Sequence, residues 1–236
     1  MQMLRVQDLV AGNGKAPLLS GLARPAPAAP AAPVGGWGKR TLDLGLVLLG
    51  LLLLWPLILG LVVLLKLTDP GPVLYGHRRV GFGGREFRCW KFRTMVVNGD
   101  EVLERHLRDN PADAAVWALK RKLVNDPRVT PLGAILRKLS LDELPQLLNV
   151  LSGEMSLVGP RPVVEAELSN YGVSGKYYLA TRPGLTGLWQ ISGRSDTTYA
   201  ERVRLDRFYV ANWGLLRDLR IVVMTVPAIL MSRGAH

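Results

Sequence analysis

Two adjacent carboxylates stand out. The stretch Arg137-Lys138-Leu139-Ser140-Leu141-Asp142-Glu143-Leu144-Pro145-Gln146 places Asp142 and Glu143 just after two cations and just ahead of an apolar run ending near Leu151. An ionised carboxylate can attack phosphorus and form an acyl phosphate, while a neighbouring carboxylate can hold the divalent cation that neutralises a diphosphate. A helix start would help both roles, since free N–H groups and the dipole favour anions there. The same residues also have a structural reading. Ser140-x-x-Glu143 matches a capping box, and acids in a first turn are favoured without any chemistry. Pro145 bears on this, because a helix beginning at Ser140 forgoes the bond from Pro145 to Leu141, whereas one beginning near Asp142 loses none. Sequence physics leaves both readings open.

Downstream, Gly159-Pro160-Arg161-Pro162 fixes an arginine between two stiff residues, which suits bidentate phosphate binding or an ordinary loop cation. Arg182-Pro-Gly-Leu-Thr-Gly-Leu-Trp189-Gln190-Ile-Ser-Gly-Arg194 is a turn-rich segment with an aromatic, an amide and two arginines, which reads as a binding loop or as a packed tryptophan. Gly81, Gly83 and Gly84 could cradle a phosphate but fit a plain turn better. His77, His106 and His236 lack ligand spacing, and Cys89 is the only cysteine, so no zinc or iron–sulfur site and no intramolecular disulfide is expected.

The elements that must position these groups begin with Leu44 to Leu65, an uncharged leucine-rich run apolar on all sides and long enough for a bilayer, where about 20 residues suffice. Pro56 falls near its middle and predicts a kink. Lys39 and Arg40 precede the run, and Lys66, Arg78 and Arg79 follow it, so charge bias assigns both ends to the cytoplasm, which a straight span does not satisfy, although a single-pass anchor that tolerates its proline is on general grounds the commoner object. The first 36 residues, with Leu22 to Pro33 rich in alanine and proline, read as a disordered tail and not as a signal peptide. After Asp69-Pro-Gly-Pro72, the segments Val73–Val80 and Arg85–Phe92 predict a basic β-hairpin. Helices are expected over about Asp100–Arg108, Ala112–Val124 and Leu132–Leu139, and an interfacial helix within Trp213–Met231.

The expected fold class is α/β and α-dominated, with a tail (1–36), a membrane helix (37–67), a domain that carries the acid pair (68–212) and a C-terminal interfacial helix (213–236); that the domain is catalytic and cytoplasmic and the chain monotopic is what the resemblance given below implies. A net charge of +11 calls for anionic partners, and 48% hydrophobic residues at that charge argue for the anionic lipids of an inner leaflet over nucleic acid.

Together these segments resemble the bacterial sugar transferase family, the monotopic polyprenol-phosphate phosphoglycosyl transferases that start exopolysaccharide and glycan assembly. The resemblance rests on Lys39-Arg-Thr-Leu-Asp43, Asp69-Pro-Gly-Pro-Val73, Lys91-Phe-Arg-Thr-Met95, Leu141-Asp-Glu-Leu-Pro-Gln146, Met155-Ser-Leu-Val-Gly-Pro-Arg-Pro162 and Arg182-Pro-Gly-Leu-Thr-Gly-Leu-Trp-Gln190, in that order, and runs from about Lys39 to the C-terminus. It implies a ping-pong reaction in which Asp142 attacks the β-phosphate of a UDP-hexose, releases UMP and passes the phosphosugar to undecaprenyl phosphate. It further implies that Glu143 binds Mg²⁺, that Lys91, Arg137 and Arg161 hold phosphates, and that Arg194 lies toward the nucleotide, joining Arg182, Trp189 and Gln190 of the binding loop. The C-terminal region is most similar to initiators of acidic exopolysaccharides that use galactose or glucose. The Pro56 kink then fits a helix entering one leaflet only, at the cytoplasmic face of the inner membrane. Two rivals predict different products: a membrane nucleotide-sugar hydrolase would give free sugar phosphate, and a non-catalytic basic membrane adaptor would release no UMP. The sugar, the polymer and the oligomeric state, a dimer among the options, are left open by the sequence.

Overall fold

The computed structural model describes residues 32–120, 122–193 and 197–230. Most of the expected tail lies outside these residues, as does Arg194.

The chain opens with α1 (Gly36–Thr68), a 33-residue helix that contains Pro56 and continues through it. At 1.5 Å per residue it is about 50 Å long, and it is long and apolar enough to cross a membrane by length and composition. A hairpin follows, β1 (Leu74–Val80) and β2 (Glu86–Phe92), joined by a 3₁₀ turn and paired from Leu74 opposite Phe92 to Val80 opposite Glu86. Next come α2 (Gly99–Asp109), α3 (Pro111–Lys120) and α4 (Pro131–Lys138), a 3₁₀ turn (Leu141–Glu143), and α5 (Gln146–Ser152). Strand β3 (Ser156–Val158) leads to the short helices α6 (Glu165–Leu168) and α7 (Gly175–Leu179), then to β4 (Gly184–Thr186) and α8 (Leu188–Ile191). Two longer helices close the described chain, α9 (Tyr199–Ala211) and α10 (Leu215–Leu230). The hairpin and three helices lie close to their expected bounds. The parallel pair β3–β4 was not foreseen, because three-residue strands carry no readable alternation.

α1 packs on the rest of the molecule in two stretches, with no buried residue between Val47 and Leu61. Val47 joins Phe87, Cys89, Leu147 and Val150 in one core cluster, while Leu61 and Leu65 join Phe92 and Leu136 in another. The opposite face leaves Leu48, Leu52, Trp55 and Leu59 exposed. Both halves of α1 thus pack on the rest of the protein.

The N-terminal end of α1 is clasped by polar contacts to which its flanking cations contribute. Lys39 Nζ donates to Asp218 Oδ2 at 2.6 Å, with 2% of Lys39 and 1% of Asp218 exposed. Asp218 also accepts from the Tyr209 hydroxyl at 2.7 Å and from Trp213 Nε1 at 2.9 Å. Arg40 donates to the Val150 and Leu151 carbonyls at the end of α5, capping that helix, and Asp43 accepts from the Leu157 backbone N–H. A desolvated ion pair survives only when its remaining donors and acceptors are met, and removing one member typically costs about 3–5 kcal/mol. These residues hold α1, α10, β3 and α5 in fixed relation.

Candidate functional site

Strand β2 delivers the first functional side chain. Alternate residues of a strand face the same side, so Phe87 and Cys89, both buried in the core, are followed on that face by Lys91, where the core gives way to a cleft. Asn149 of α5 registers the helix against this strand: its Oδ1 accepts from the Trp90 N–H at 3.0 Å and its Nδ2 donates to the Arg88 carbonyl at 2.7 Å. The turn just before α5 is thereby set opposite Lys91. That turn carries Asp142 and Glu143.

Lys91 Nζ lies 2.7 Å from Glu143 Oε1 and 3.4 Å from Asp142 Oδ2, bridging the two carboxylates. Arg161 reaches the same Glu143 oxygen at 3.9 Å. Arg137, one turn upstream, is aimed by its Nε donating to Thr94 Oγ1 at 2.8 Å. Lys91, Arg137, Asp142, Glu143, Arg161 and Trp189, together with Gln190, line one cleft of about 1350 Å³. The expected acid pair, three phosphate-binding cations and two of the loop residues are therefore neighbours of one space.

The turn geometry corrects the expected cap. Ser140 adopts φ 55° and ψ 21°, the only positive-φ non-glycine among the described residues, and its side chain makes no capping bond. A left-handed L-residue costs on the order of 1–2 kcal/mol. Its effect is to reverse the chain between α4 and the 3₁₀ turn, so that Asp142 and Glu143 face Lys91. Pro145, which lacks an N–H, then precedes α5. Asp142 thus sits in a 3₁₀ entry turn upstream of the α-helix, and the field that favours its charge comes from Lys91 and Arg137, not from a helix start. Burial acts against them and is the largest influence, with Glu143 adding to it, so the Asp142 carboxyl is held above the usual aspartate range. It is 8% exposed, reachable only from the cleft.

Arg161 and Trp189 are brought in by the parallel pair. Gly159 N donates to Thr186 O at 2.9 Å and Gly184 N to Pro160 O at 2.8 Å, so the segments before and after β3 and β4 run backbone against backbone. A Cβ on Gly184 would lie 2.1 Å from Gly159 N, and one on Gly159 would lie 2.6 Å from Arg182 O, which explains glycine at both positions. Arg202 of α9 secures the pair from behind: its guanidinium sits 5.0 Å from the Trp189 ring centre and donates to the Arg161 carbonyl at 3.4 Å. Below it, the nearly fully buried Asp206 accepts from Tyr171, and burial raises its carboxyl to about 7.

Arg182 is not part of this site. Its Nε donates to the Gly153 carbonyl at 2.7 Å, and it does not line the cleft, so its proline-bounded segment supports α5 and does not reach a nucleotide there. Thr94, Asn149 and Arg202 were missed in the sequence. Thr94 stood inside the Lys91–Met95 segment and needed only a hydroxyl-to-arginine pairing to be noticed, whereas nothing local marks Arg202 as buried.

Among the described residues no group of three or more His, Cys, Asp or Glu side chains converges. Mg²⁺ is commonly held by one or two carboxylates with waters and substrate phosphates completing the shell. Asp142 and Glu143, already sharing one cation in Lys91 Nζ, fit that pattern and no all-protein cage.

A family model described as bacterial sugar transferase matches residues 34–232. The exopolysaccharide production protein ExoY of Sinorhizobium fredii is 56% identical over 204 residues, covering 86% of this chain and 90% of that protein. The undecaprenyl-phosphate galactose phosphotransferase of Salmonella typhimurium is 49% identical over 199 residues, 84% of this chain and 41% of the relative. The UDP-glucose:undecaprenyl-phosphate glucose-1-phosphate transferase of Xanthomonas campestris is 37% identical over 206 residues, 84% of this chain and 40% of the relative.

Proposed function

This chain belongs to the bacterial sugar transferase family, and on that footing we propose that it transfers a hexose 1-phosphate from a UDP-hexose to undecaprenyl phosphate. The products are UMP and undecaprenyl diphosphate hexose. The observation that carries this reading is a nearly buried carboxylate, Asp142, set beside Lys91 on the wall of a cleft that also holds Arg137 and Arg161.

In the first half-reaction an Asp142 oxygen forms a bond to the β-phosphorus as the bond from that phosphorus to the bridging oxygen breaks, and UMP leaves with the electron pair. In the second, an oxygen of the acceptor phosphate attacks the same phosphorus and the bond to Asp142 breaks, regenerating the carboxylate. Lys91 and Arg137 favour the ionised form of Asp142 against burial, and with Arg161 they offset the charge of the diphosphate. Glu143 and Asp142 would hold Mg²⁺, which when bound neutralises phosphate charge. Trp189 and Gln190 offer a ring and an amide to the nucleotide end.

The chain sits at the cytoplasmic face of the inner membrane with both ends of α1 on one side. Support comes from the packing of Val47 near one end and Leu65 near the other onto the same catalytic body, which a helix with ends on opposite sides of a bilayer does not permit for a body outside it. Cysteine labelling beside Lys39 and Lys66 tests this, and labelling from opposite sides would refute it.

The activity is tested by incubating the purified protein with individual UDP-hexoses and Mg²⁺. Without acceptor, UMP should rise to about one equivalent, with phosphosugar mass gained on the peptide containing Asp142, because covalent catalysis divides the reaction. With undecaprenyl phosphate, turnover should follow, and comparison of UDP-galactose with UDP-glucose assigns the sugar. Free sugar phosphate as the sole product would indicate a hydrolase, absence of UMP an adaptor, and UMP release only with acceptor direct transfer.

A further inference from the structure

The cleft that holds Asp142 extends well beyond the polar groups. From α1 it takes Leu46, Leu49, Gly50, Leu53 and Leu54, which recur at three- and four-residue spacing and so form one stripe. Opposite them stand Val222, Thr225 and Val226, again one stripe, on α10. Thr225 is tied to the catalytic body by its hydroxyl, 2.7 Å from that of Thr186 in β4. Leu144, Leu147, Leu157 and Leu185 line the space between the stripes and Asp142. The α1 stripe is about 12 Å long at 1.5 Å per residue. Its outer members Leu49 and Leu53 are exposed, as is Val226, so this limb opens on the side that α1 presents to lipid.

We propose that the groove between these two stripes is the binding site for the polyprenyl chain of the acceptor, leading its phosphate from the bilayer to Asp142. The inference rests on the transferase reading and adds where the acceptor lies. The residues that α1 and α10 give to this space are uncharged and almost all aliphatic, whereas Lys91, Arg137 and Arg161, with Arg93, Lys122 and Arg128, come from the rest of its wall. That polarity matches an amphiphile with a long hydrocarbon chain and a single anionic head, and the head must reach the phosphorus carried by Asp142. Gly50 marks the middle of the limb: a Cβ there would meet nothing within 4 Å, so the helix leaves room on this face and tolerates a larger residue without a backbone clash.

The test uses the full chain in phosphatidylethanolamine and phosphatidylglycerol vesicles, with an undecaprenyl phosphate analogue carrying a diazirine in its chain. Irradiation should label peptides containing Leu46 to Leu54 and Val222 to Val226, and excess undecaprenyl phosphate should suppress the label while excess phosphatidylglycerol does not. Gly50→Phe should lower labelling and raise KM for undecaprenyl phosphate about tenfold, the loss expected when a pair of chain methylenes can no longer be buried. KM for the UDP-hexose should not move. Gly60→Phe, at a glycine with equally open surroundings that does not line this cleft, should change neither. Labelling elsewhere, equal competition by phosphatidylglycerol, or unaltered labelling and acceptor KM in Gly50→Phe would each overturn the assignment. Because labelling needs no turnover, a wild-type protein labelled in the groove yet inert toward every UDP-hexose would sustain the groove and sink the transferase reading. Active protein labelled elsewhere would do the reverse.

Discussion

Lys39 and Asp218 meet at 2.6 Å with side chains 3% and 1% exposed, whereas Lys91 and Asp142 meet at 3.4 Å with side chains 27% and 11% exposed. Both are lysine–aspartate pairs on contacts distant in sequence. In the first, Asp218 spends both oxygens on Lys39, Tyr209 and Trp213, leaving nothing to offer a ligand. In the second, Lys91 lies closer to Glu143 than to Asp142, and Asp142 keeps one face on an open cleft. A completed hydrogen-bond shell makes an ion pair structural, and an incomplete one facing a cleft leaves it able to react. The completeness of the shell separates the two roles better than charge or burial does.

The sharpest way to break that contrast is to remove the charge of each aspartate. Asp142→Asn should lower turnover at least about a thousandfold, as loss of a nucleophile does, while leaving Tm unchanged or slightly higher. A fully active variant would erase the distinction. Asp218→Ala should behave oppositely, losing about 3–5 kcal/mol because Lys39 is left buried and unpaired. Its signature is a lower Tm in detergent with near-normal turnover per folded molecule. An Asp218→Ala protein as stable as wild type would mean the clasp contributes nothing.

The pH dependence sharpens the comparison further. Burial raises the Asp142 carboxyl above its ordinary 3.8, so the folded protein binds this proton more tightly than the unfolded chain does. The charged form therefore costs stability near neutral pH, and the cost is relieved as pH falls through the folded value. Activity runs the other way, since attack needs the ionised form: kcat/KM should fall on acidification with a limb above the ordinary aspartate value. Lys91→Met should move that limb higher, because Lys91 is the largest influence holding it down. A pH profile with an unshifted limb in Lys91→Met would separate the lysine from Asp142. The smallest effect belongs outside both regions. Thr198 caps α9 in a reciprocal box with Glu201, and Thr198→Ala should cost about 1 kcal/mol, read in Tm, with no change in kcat/KM.

Much of the local structure was legible in the sequence. The long apolar run became α1, alternation gave the hairpin, and the Asp142-Glu143 pair was visible from the chemistry of adjacent carboxylates. What the sequence did not show depended on contacts distant in the chain. Local charge marks Lys39 and Arg40 as flanks of the apolar run but says nothing of their partners, Asp218, Val150 and Leu151. Ser140-x-x-Glu143 has the letters of a capping box, but Pro145 and the reversal at Ser140 prevent that geometry, while Thr198-x-x-Glu201 has the same letters and forms the box. Arg161 sits between two prolines and Arg182 just before one, so both are local candidates for a stiff binding turn. Only the crossing of β3 with β4 decides that Arg161 faces the cleft and Arg182 the end of α5.

The clasp also imposes an order on biogenesis. Lys39 and Asp218 are 179 positions apart. At synthesis rates of about 5–20 residues per second, on the order of ten to forty seconds pass between the emergence of one and of the other. During that interval α1 has left the ribosome as an uncommitted apolar segment, its lysine without the aspartate that will neutralise it. The clasp closes only when α10 arrives, so the cleft, which takes one wall from α1 and another from α10, is completed late in synthesis.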